Sequence, residues 1–183
     1  MKIKPASKKG KVVVELDARD QSILPPAPAG AAFRLKQILV PVDFSECSRK
    51  ALRYALPFAR VFGAGISLLH VVETAYVMGE FGAVDYAAMS ADLTTEAERQ
   101  LCMLATEEIG ASAAWKIAVR PGRPATEIVE AARELAADLI VIATHGRTGL
   151  QHVLLGSVAE NVVRHAPCPV LTVREHEREF VES

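Results

Sequence analysis

Two glycines in the last quarter of the chain lie where a phosphate group could be bound. Gly146 follows a short apolar run, and Gly156 and Ser157 open the next predicted helix. Glycine allows a ligand to approach the backbone closely, and the N-terminus of a helix offers free N–H groups and a partial positive charge to an anion. Arg147 would add charge to the same pocket. Alternatively, Ser157 and Glu160 match a capping box, which explains Ser157 without any ligand.

Asp43 is a second candidate, because it ends the apolar run 38–42. In an open parallel sheet, ligands bind beyond the carboxyl ends of the strands. Asp43 therefore suits a ligand contact, although an aspartate also caps a following helix well. His70 lies near the end of the apolar run 66–72, and His145 follows the run 139–143. The sequence spacing does not put a serine, cysteine or aspartate next to either histidine as a partner for nucleophilic catalysis. We interpret His70 as a core-edge residue and His145 as a turn residue.

The cysteines Cys47, Cys102 and Cys168 are odd in number and far apart, without a C-x-x-C pair. This pattern favours neither a structural zinc site nor a disulfide framework, and it fits a reducing cytoplasm. Cys47 lies near a predicted helix start, where the pKa of a thiol can be lowered. The sequence also lacks the G-x4-G-K-[S/T] motif of P-loop nucleotidases.

The composition excludes several classes of protein. The chain has 183 residues, a formal net charge of -1, 50% hydrophobic residues and 5% aromatic residues. A balanced charge argues against a broad nucleic-acid-binding surface. No apolar run reaches the ~18 residues that span a membrane, and the apolar stretch 12–14 is too short for the core of a signal peptide.

Five apolar runs alternate with helical patterns from residue 35 onward, which predicts βαβ units and a parallel sheet covered on both faces. The predicted strands are 38–42, 66–72, 114–119, 139–143 and 169–173. The predicted helices run from a Ser45 cap to about residue 62, from 91 to 109, from 125 to 136 and from 157 to 165. Residues 121–124 are predicted to turn, and residues 74–91 to form an irregular loop.

The chain divides into a core domain and two appendages. We expect residues 1–32 to be an extension with a proline- and alanine-rich linker, residues 33–175 to be the domain, and residues 176–183 to be a charged tail. The extension is interpreted as flexible; alternatively, residues 12–16 add a strand to a sheet edge.

Both ends of this core resemble the universal stress protein family. Residues 37–45, QILVPVDFS, are similar to that family's first strand and turn, and residues 139–174, LIVIATHGRTGLQHVLLGSVAENVVRHAPCPVLTVR, are similar to its C-terminal motif. The resemblance implies an α/β fold of the adenine-nucleotide alpha-hydrolase type, doubly wound, with one five-stranded parallel sheet of order 3-2-1-4-5. It also implies a homodimer joined along the last strand, residues 169–174.

One branch of the family binds ATP through the pattern G-x2-G-x9-G-[S/T]. Gly146, Gly156 and Ser157 match this pattern, whereas the first glycine position holds Ala143. Asp43 matches the acidic residue after the first strand. The nucleotide-binding residues that the resemblance implies are Pro41, Val42, Asp43, Val71, Ala143, Gly146, Arg147, Gly156, Ser157 and Val158, with adenine packed on Val42 and Val71.

The leading hypothesis is therefore a cytoplasmic stress-response dimer that binds ATP or a related adenine nucleotide, with Mg²⁺ bridging the phosphates. We expect at most slow ATP hydrolysis, no protein-bound metal, and no nucleic-acid or membrane partner. The alternative keeps the dimer and drops the nucleotide, so that function lies in protein–protein contact. An ATP pyrophosphatase ranks last, because its glycine-rich loop is absent after the first strand.

Overall fold

The computed structural model of the chain describes residues 2–5, 12–15, 34–73, 86–145 and 155–178. The chain forms two units, Met1–Arg34 and Leu35–Ser183. In the first unit, strand β1 (Lys2–Pro5) pairs antiparallel with strand β2 (Val12–Glu15). Strand β2 covers most of residues 12–16, for which an added strand was the alternative to a flexible extension, and it pairs with the start of the chain. The predicted linker at residues 25–30 lies outside the described residues.

The second unit is built on a five-stranded sheet of order β5-β4-β3-β6-β7. Every neighbouring pair in this sheet is parallel. In chain order this is 3-2-1-4-5, so the predicted topology is confirmed. Its strands are β3 (Gln37–Pro41), β4 (Gly65–Glu73), β5 (Trp115–Gly122), β6 (Leu139–Ala143) and β7 (Val170–Val173).

Within the described residues, four helices cover the two faces of this sheet. They are α1 (Glu46–Phe62), α2 (Tyr86–Leu104, continued by one π-helical turn at Ala105–Ile109), α3 (Pro124–Glu134) and α4 (Ser157–His165). Alternate strand residues point to opposite faces. Ile38 and Val40 join a core cluster with α1 and α2, whereas Leu39 joins a second cluster with α3 and α4. The predicted doubly wound α/β architecture is confirmed.

Helix α1 shows how the sequence sets these boundaries. The hydroxyl oxygen of Ser45 accepts a hydrogen bond from the N–H of Ser48 at 3.2 Å, which satisfies one of the free donors at the helix start. Gly63 ends the helix in the left-handed conformation, at φ 66°, which glycine adopts without a Cβ clash. Both ends agree with the sequence-based prediction.

Three boundaries differ from the prediction. Helix α2 begins at Tyr86, inside the stretch predicted to be irregular. Strand β5 continues to Gly122 because Pro121 and Gly122 pair with the end of the long strand β4, so the predicted turn at 121–124 is wrong at its first two positions. The helix predicted to reach residue 136 ends at Glu134, and Leu135, which follows it, is 36% exposed. None of the helices in the described ranges is long and apolar enough to cross a membrane.

Candidate functional site

The candidate site lies where the direction of winding of the sheet changes. From β3 the chain builds outward through β4 and β5, then returns to add β6 and β7 on the other side of β3. The connections that leave β3 and β6 therefore diverge, which opens a crevice at the carboxyl ends of these two strands. Asp43 follows β3 and Ala143 ends β6, so the fold brings Asp43 and the first position of the glycine motif to the same edge of the sheet.

The turn after β3 is fixed by hydrogen bonds on both sides of Asp43. The N–H of Val42 donates to the carbonyl oxygen of Leu69 at 2.8 Å, which extends the pairing of β3 with β4 by one residue. The Oδ1 atom of Asp43 accepts from the N–H of Ser45 at 3.1 Å and from its hydroxyl at 2.5 Å. Asp43 thus stabilises the turn, and its half-buried carboxylate lies at the mouth of the crevice.

Phe44 completes this turn in an unusual conformation. Its φ is 65°, a left-handed value that costs a residue with a Cβ atom roughly 1–2 kcal/mol. Its ring lies 4.6 Å from the ring of His70, tilted by 36°. The Nδ1 atom of His70 is 2.7 Å from the carbonyl oxygen of Val42. The contact between His70 and Val42 was not predictable from residue types, because it depends on the register between β3 and β4.

On the other side of the crevice, Thr144 links β7 to the start of α4. Its N–H donates to the carbonyl oxygen of Val173 at 2.9 Å, and its own carbonyl oxygen accepts from the N–H of Gly156 at 2.8 Å. The residue is only 2% exposed, and its hydroxyl lies 2.9 Å from Nδ1 of His145. Sequence analysis missed Thr144, although a threonine directly after a buried apolar strand was the available signal.

Gly156 is seated against Thr144 so closely that a side chain does not fit. A Cβ atom built on Gly156 would lie 2.8 Å from the carbonyl oxygen of Thr144. This distance is a steric clash, so one of the two backbones would have to move. The φ of Gly156 is -67°, a value that any residue adopts. Glycine is therefore required at this position by space and not by backbone conformation.

The capping-box interpretation of Ser157 is wrong. Gly156 is the N-cap of α4, and no side chain caps the helix. Ser157 is the first helical residue and is exposed, so its hydroxyl is not used as that motif requires. The first N–H groups of an α-helix have no intrahelical acceptor. Ser157 and Val158 supply two of these donors at the edge of the crevice, where they suit an anion.

Three predicted contact residues pack against the core clusters, Val42 fully buried and Ala143 and Val71 partly buried. Val42 is 3% exposed and belongs to the core cluster under α1 and α2, and Ala143 packs its methyl group against the same cluster. Val71 packs against the opposite cluster. Val42 and Val71 thus lie on opposite faces of the sheet, and any ligand contact from Val42 is restricted to its backbone. Pro41 is buried at the end of β3.

The alanine at the first glycine position of the motif is accommodated without strain. Ala143 is the last residue of β6 and pairs in register with Val173. Because its methyl group points into the core, the crevice beside it keeps the space that a glycine would leave. Gly146 and Arg147, the other motif residues of this loop, lie outside the described residues.

Cys47 lies near the site at the start of α1, whereas Cys168 lies before β7, at the opposite end of the sheet. Burial raises the pKa of Cys47, partly offset by a hydrogen bond from the backbone of His145. The expected lowering at the helix start is therefore wrong, since desolvation of the buried thiol dominates. Burial likewise raises the pKa of Cys168. Within the described residues, no three histidine, cysteine or acidic side chains are grouped to hold a metal ion.

The site can therefore accept an anion at the start of α4 and a hydroxyl donor at the carboxylate of Asp43. Comparisons with known proteins identify the family of the chain. A family model described as the universal stress protein family matches residues 34–174. Universal stress protein MJ0531 of Methanocaldococcus jannaschii is 37% identical over 146 residues, which cover 79% of this chain and 85% of that protein.

Solved structures show the same fold. The structure of protein MJ0577 of Methanocaldococcus jannaschii is similar with a TM-score of 0.69 at 32% identity, covering 80% of this chain and 99% of that one. A universal stress protein solved in complex with cAMP is similar with a TM-score of 0.51 at 24% identity, covering 77% of this chain and 98% of that one. The family match, the relative's identity and the shared sheet order lead to one conclusion: this chain belongs to the universal stress protein family.

Proposed function

We propose that this protein binds ATP or a related adenine nucleotide and acts as a regulatory binding protein in a stress response. The observation that carries this proposal is the close backbone contact between Gly156 and Thr144. That contact brings the uncapped start of α4 to the carboxyl edge of β6, within the crevice that Asp43 borders on the other side. A helix start and a carboxylate on opposite sides of a crevice suit the phosphates and the ribose of a nucleotide, respectively.

In the proposed complex, each group has one role. The N–H groups of Ser157 and Val158 and the hydroxyl of Ser157 bind phosphate oxygens, with Gly146 and Arg147 completing this side. Asp43 accepts a hydrogen bond from a ribose hydroxyl. The backbone of Val42 and the side chain of Val71 border the adenine. Mg²⁺ is expected to bridge phosphate oxygens, held by the nucleotide and not by a protein cluster.

A binding role is favoured over a dedicated enzyme by how the polar groups at this edge are used. Asp43 holds the N–H and hydroxyl of Ser45, and the Nδ1 atoms of His70 and His145 contact neighbouring protein groups. These side chains support the backbone of the site. We therefore expect any ATP hydrolysis to be slow. At 24% identity, the cAMP complex shows only that the fold is shared. The support for nucleotide binding therefore comes from the geometry of this chain.

We also propose a homodimer joined along β7, in a reducing cytoplasm. Strand β7 is an edge of the sheet. The carbonyl oxygens of Pro169 and Val173 accept from strand β6 and the residue after it, so the alternate residues Val170 and Thr172 direct their N–H and C=O groups away from β6. An edge of this kind pairs readily with another strand. All three cysteines are free thiols, which supports a reducing compartment.

The test of nucleotide binding is a titration of the purified chain. Denaturation should first release any co-purified nucleotide for identification, after which apo protein is titrated with ATP and Mg²⁺ by calorimetry. We expect saturable binding of ATP, and much weaker binding of inorganic triphosphate, which lacks the ribose and adenine. Absence of ATP binding at millimolar concentration would overturn the proposal and favour the alternative of a dimer that acts through protein contacts.

Asp43→Asn provides a matched variant for this titration. The amide oxygen still accepts from Ser45, so the turn is retained, but the negative charge that strengthens a hydrogen bond from ribose is lost. We expect ATP affinity to fall about tenfold, which corresponds to about 1.4 kcal/mol. Affinity for inorganic triphosphate should not fall. Equal loss for both ligands would show that Asp43 acts on the phosphates or on the fold.

A further inference from the structure

The turn that carries Asp43 depends on a side chain from the neighbouring strand. His70 lies in β4 and is half-buried, with Nδ1 2.7 Å from the carbonyl oxygen of Val42. A carbonyl oxygen only accepts hydrogen bonds. Nδ1 of His70 therefore carries the hydrogen and donates it. This fixes the neutral imidazole in the tautomer with hydrogen on Nδ1 and a lone pair on Nε2.

His70 supports the turn at a second point as well. The ring of Phe44 packs on the imidazole at 4.6 Å between centroids, and Phe44 is the residue with the left-handed φ of 65°. Such a conformation persists only where the surroundings hold it. Val42 and Phe44 flank Asp43 in the chain, so one imidazole holds both neighbours of the carboxylate.

We propose that His70 is a positioning residue for nucleotide binding: its Nδ1–H and ring face hold the Val42–Phe44 turn in the shape that presents Asp43 to the ribose. This inference rests on the proposed function and assigns part of its specificity to a residue that need not touch the ligand. The strain at Phe44 gives it a physical basis. Without the imidazole, the turn can relax to an ordinary φ and carry Asp43 away from the crevice.

Two substitutions separate the hydrogen bond from the bulk of the side chain. In His70→Asn, the amide nitrogen can occupy the place of Nδ1 and still donate to Val42. In His70→Leu, the size is roughly kept and the donor is lost. We expect His70→Leu to weaken ATP binding about tenfold and His70→Asn to recover most of that loss, with inorganic triphosphate affinity unchanged in both.

His165 supplies a matched control. Its Nδ1 atom donates to the carbonyl oxygen of Asn161 at 2.9 Å, so it is also a histidine-to-backbone contact, but at the C-terminal end of α4. His165→Leu should leave ATP affinity unchanged. Melting temperatures of all the variants show whether a loss of binding follows a general loss of stability.

A spectroscopic measurement tests the contact without any ligand. Nitrogen-15 NMR of the imidazoles at a pH where His70 is neutral should show hydrogen on Nδ1 and none on Nε2, and the Nδ1 signal should vanish in His70→Leu. Hydrogen on Nε2 would overturn the inference. If wild type binds ATP and His70→Leu binds it equally well, the positioning role is wrong while the proposed function stands. If wild type binds no ATP, the proposed function fails and this role fails with it.

Discussion

The tight contact between Gly156 and Thr144 gives the sharpest test of how this site is built. In Gly156→Ala, the new methyl group would lie 2.8 Å from the carbonyl oxygen of Thr144, so the backbone must separate. The same carbonyl oxygen accepts the N–H of Gly156 at 2.8 Å, and this bond is lost or lengthened. Thr144 cannot yield easily, because it is 2% exposed and its own N–H is held by Val173.

The magnitude follows from these two effects. Leaving a buried carbonyl without its donor costs roughly 1–3 kcal/mol, and forcing an extra methyl group into a packed site costs a similar amount. The two costs together come to at least about 2 kcal/mol, which lowers the melting temperature of a protein of this size by at least roughly 4–8 °C. The start of α4 moves away from the crevice by several tenths of an ångström, and we expect ATP affinity to fall at least tenfold.

The assay pairs thermal unfolding with calorimetric titration of ATP, using Gly65→Ala as the control. A Cβ atom on Gly65 would have its nearest neighbour at 3.6 Å, an ordinary contact, and Gly65 begins β4 at the opposite end of the sheet. This control should change neither quantity by much. If Gly156→Ala melts and binds like wild type, the steric argument is refuted. If it melts earlier but binds ATP normally, the phosphate site lies elsewhere.

Three further outcomes are expected. Thr172→Pro removes an outward N–H from the proposed dimer edge and should weaken dimerisation at least tenfold, as measured by sedimentation equilibrium. Thr172→Val keeps that N–H and should not weaken it. Equal dimer dissociation constants for the two variants would exclude β7 as the interface. Lys50 is 9% exposed, and its Nζ donates to two backbone carbonyls of the segment after Arg174, at 2.8 and 2.6 Å. Truncation after Arg174 should lower the melting temperature of wild type more than that of Lys50→Met, because only wild type is left with a buried ammonium that has lost these acceptors. Equal losses in the two proteins would contradict this coupling. Because burial raises the pKa of the Cys47 thiol, its contribution to stability is complete below the ordinary thiol pKa of about 8.5 and is lost as pH rises toward the pKa of the folded state. The free energy of unfolding, measured by denaturation from pH 7 to 10, should therefore fall less steeply with pH in Cys47→Ala than in wild type. Equal slopes in the two proteins would refute this.

Much of the fold was predictable because it depends on local patterns. The short apolar runs and the cap residues at Ser45 and Gly63 are local signals, and they placed the strands and α1 within a few residues. The family resemblance supplied the strand order, which the structure confirms. The end of β5 was missed because Pro121 and Gly122 are held in the sheet by pairing with β4, a long-range contact that outweighs their usual preference for turns.

The candidate site was predictable in its residue types and less so in its contacts. The sequence identified Asp43, Gly156 and Ser157, but the capping box assigned to Ser157 was wrong because the helix begins one residue earlier than that motif requires, with Gly156 as its N-cap. Val42 was expected to pack on adenine. Its position in the pleat of the sheet turns its side chain into the core instead.

The sequence alone determined the alternation of strands and helices, the position of the glycine and serine at a helix start, and the balanced charge that argues against a broad polyanion-binding surface. These properties are local or additive, so they are readable from one chain. Only the tertiary structure decided that His70 holds the Val42 carbonyl and that Gly156 has no room for a side chain. Both facts arise from the register of distant strands and the packing of backbone on backbone, which residue types and spacing do not encode directly.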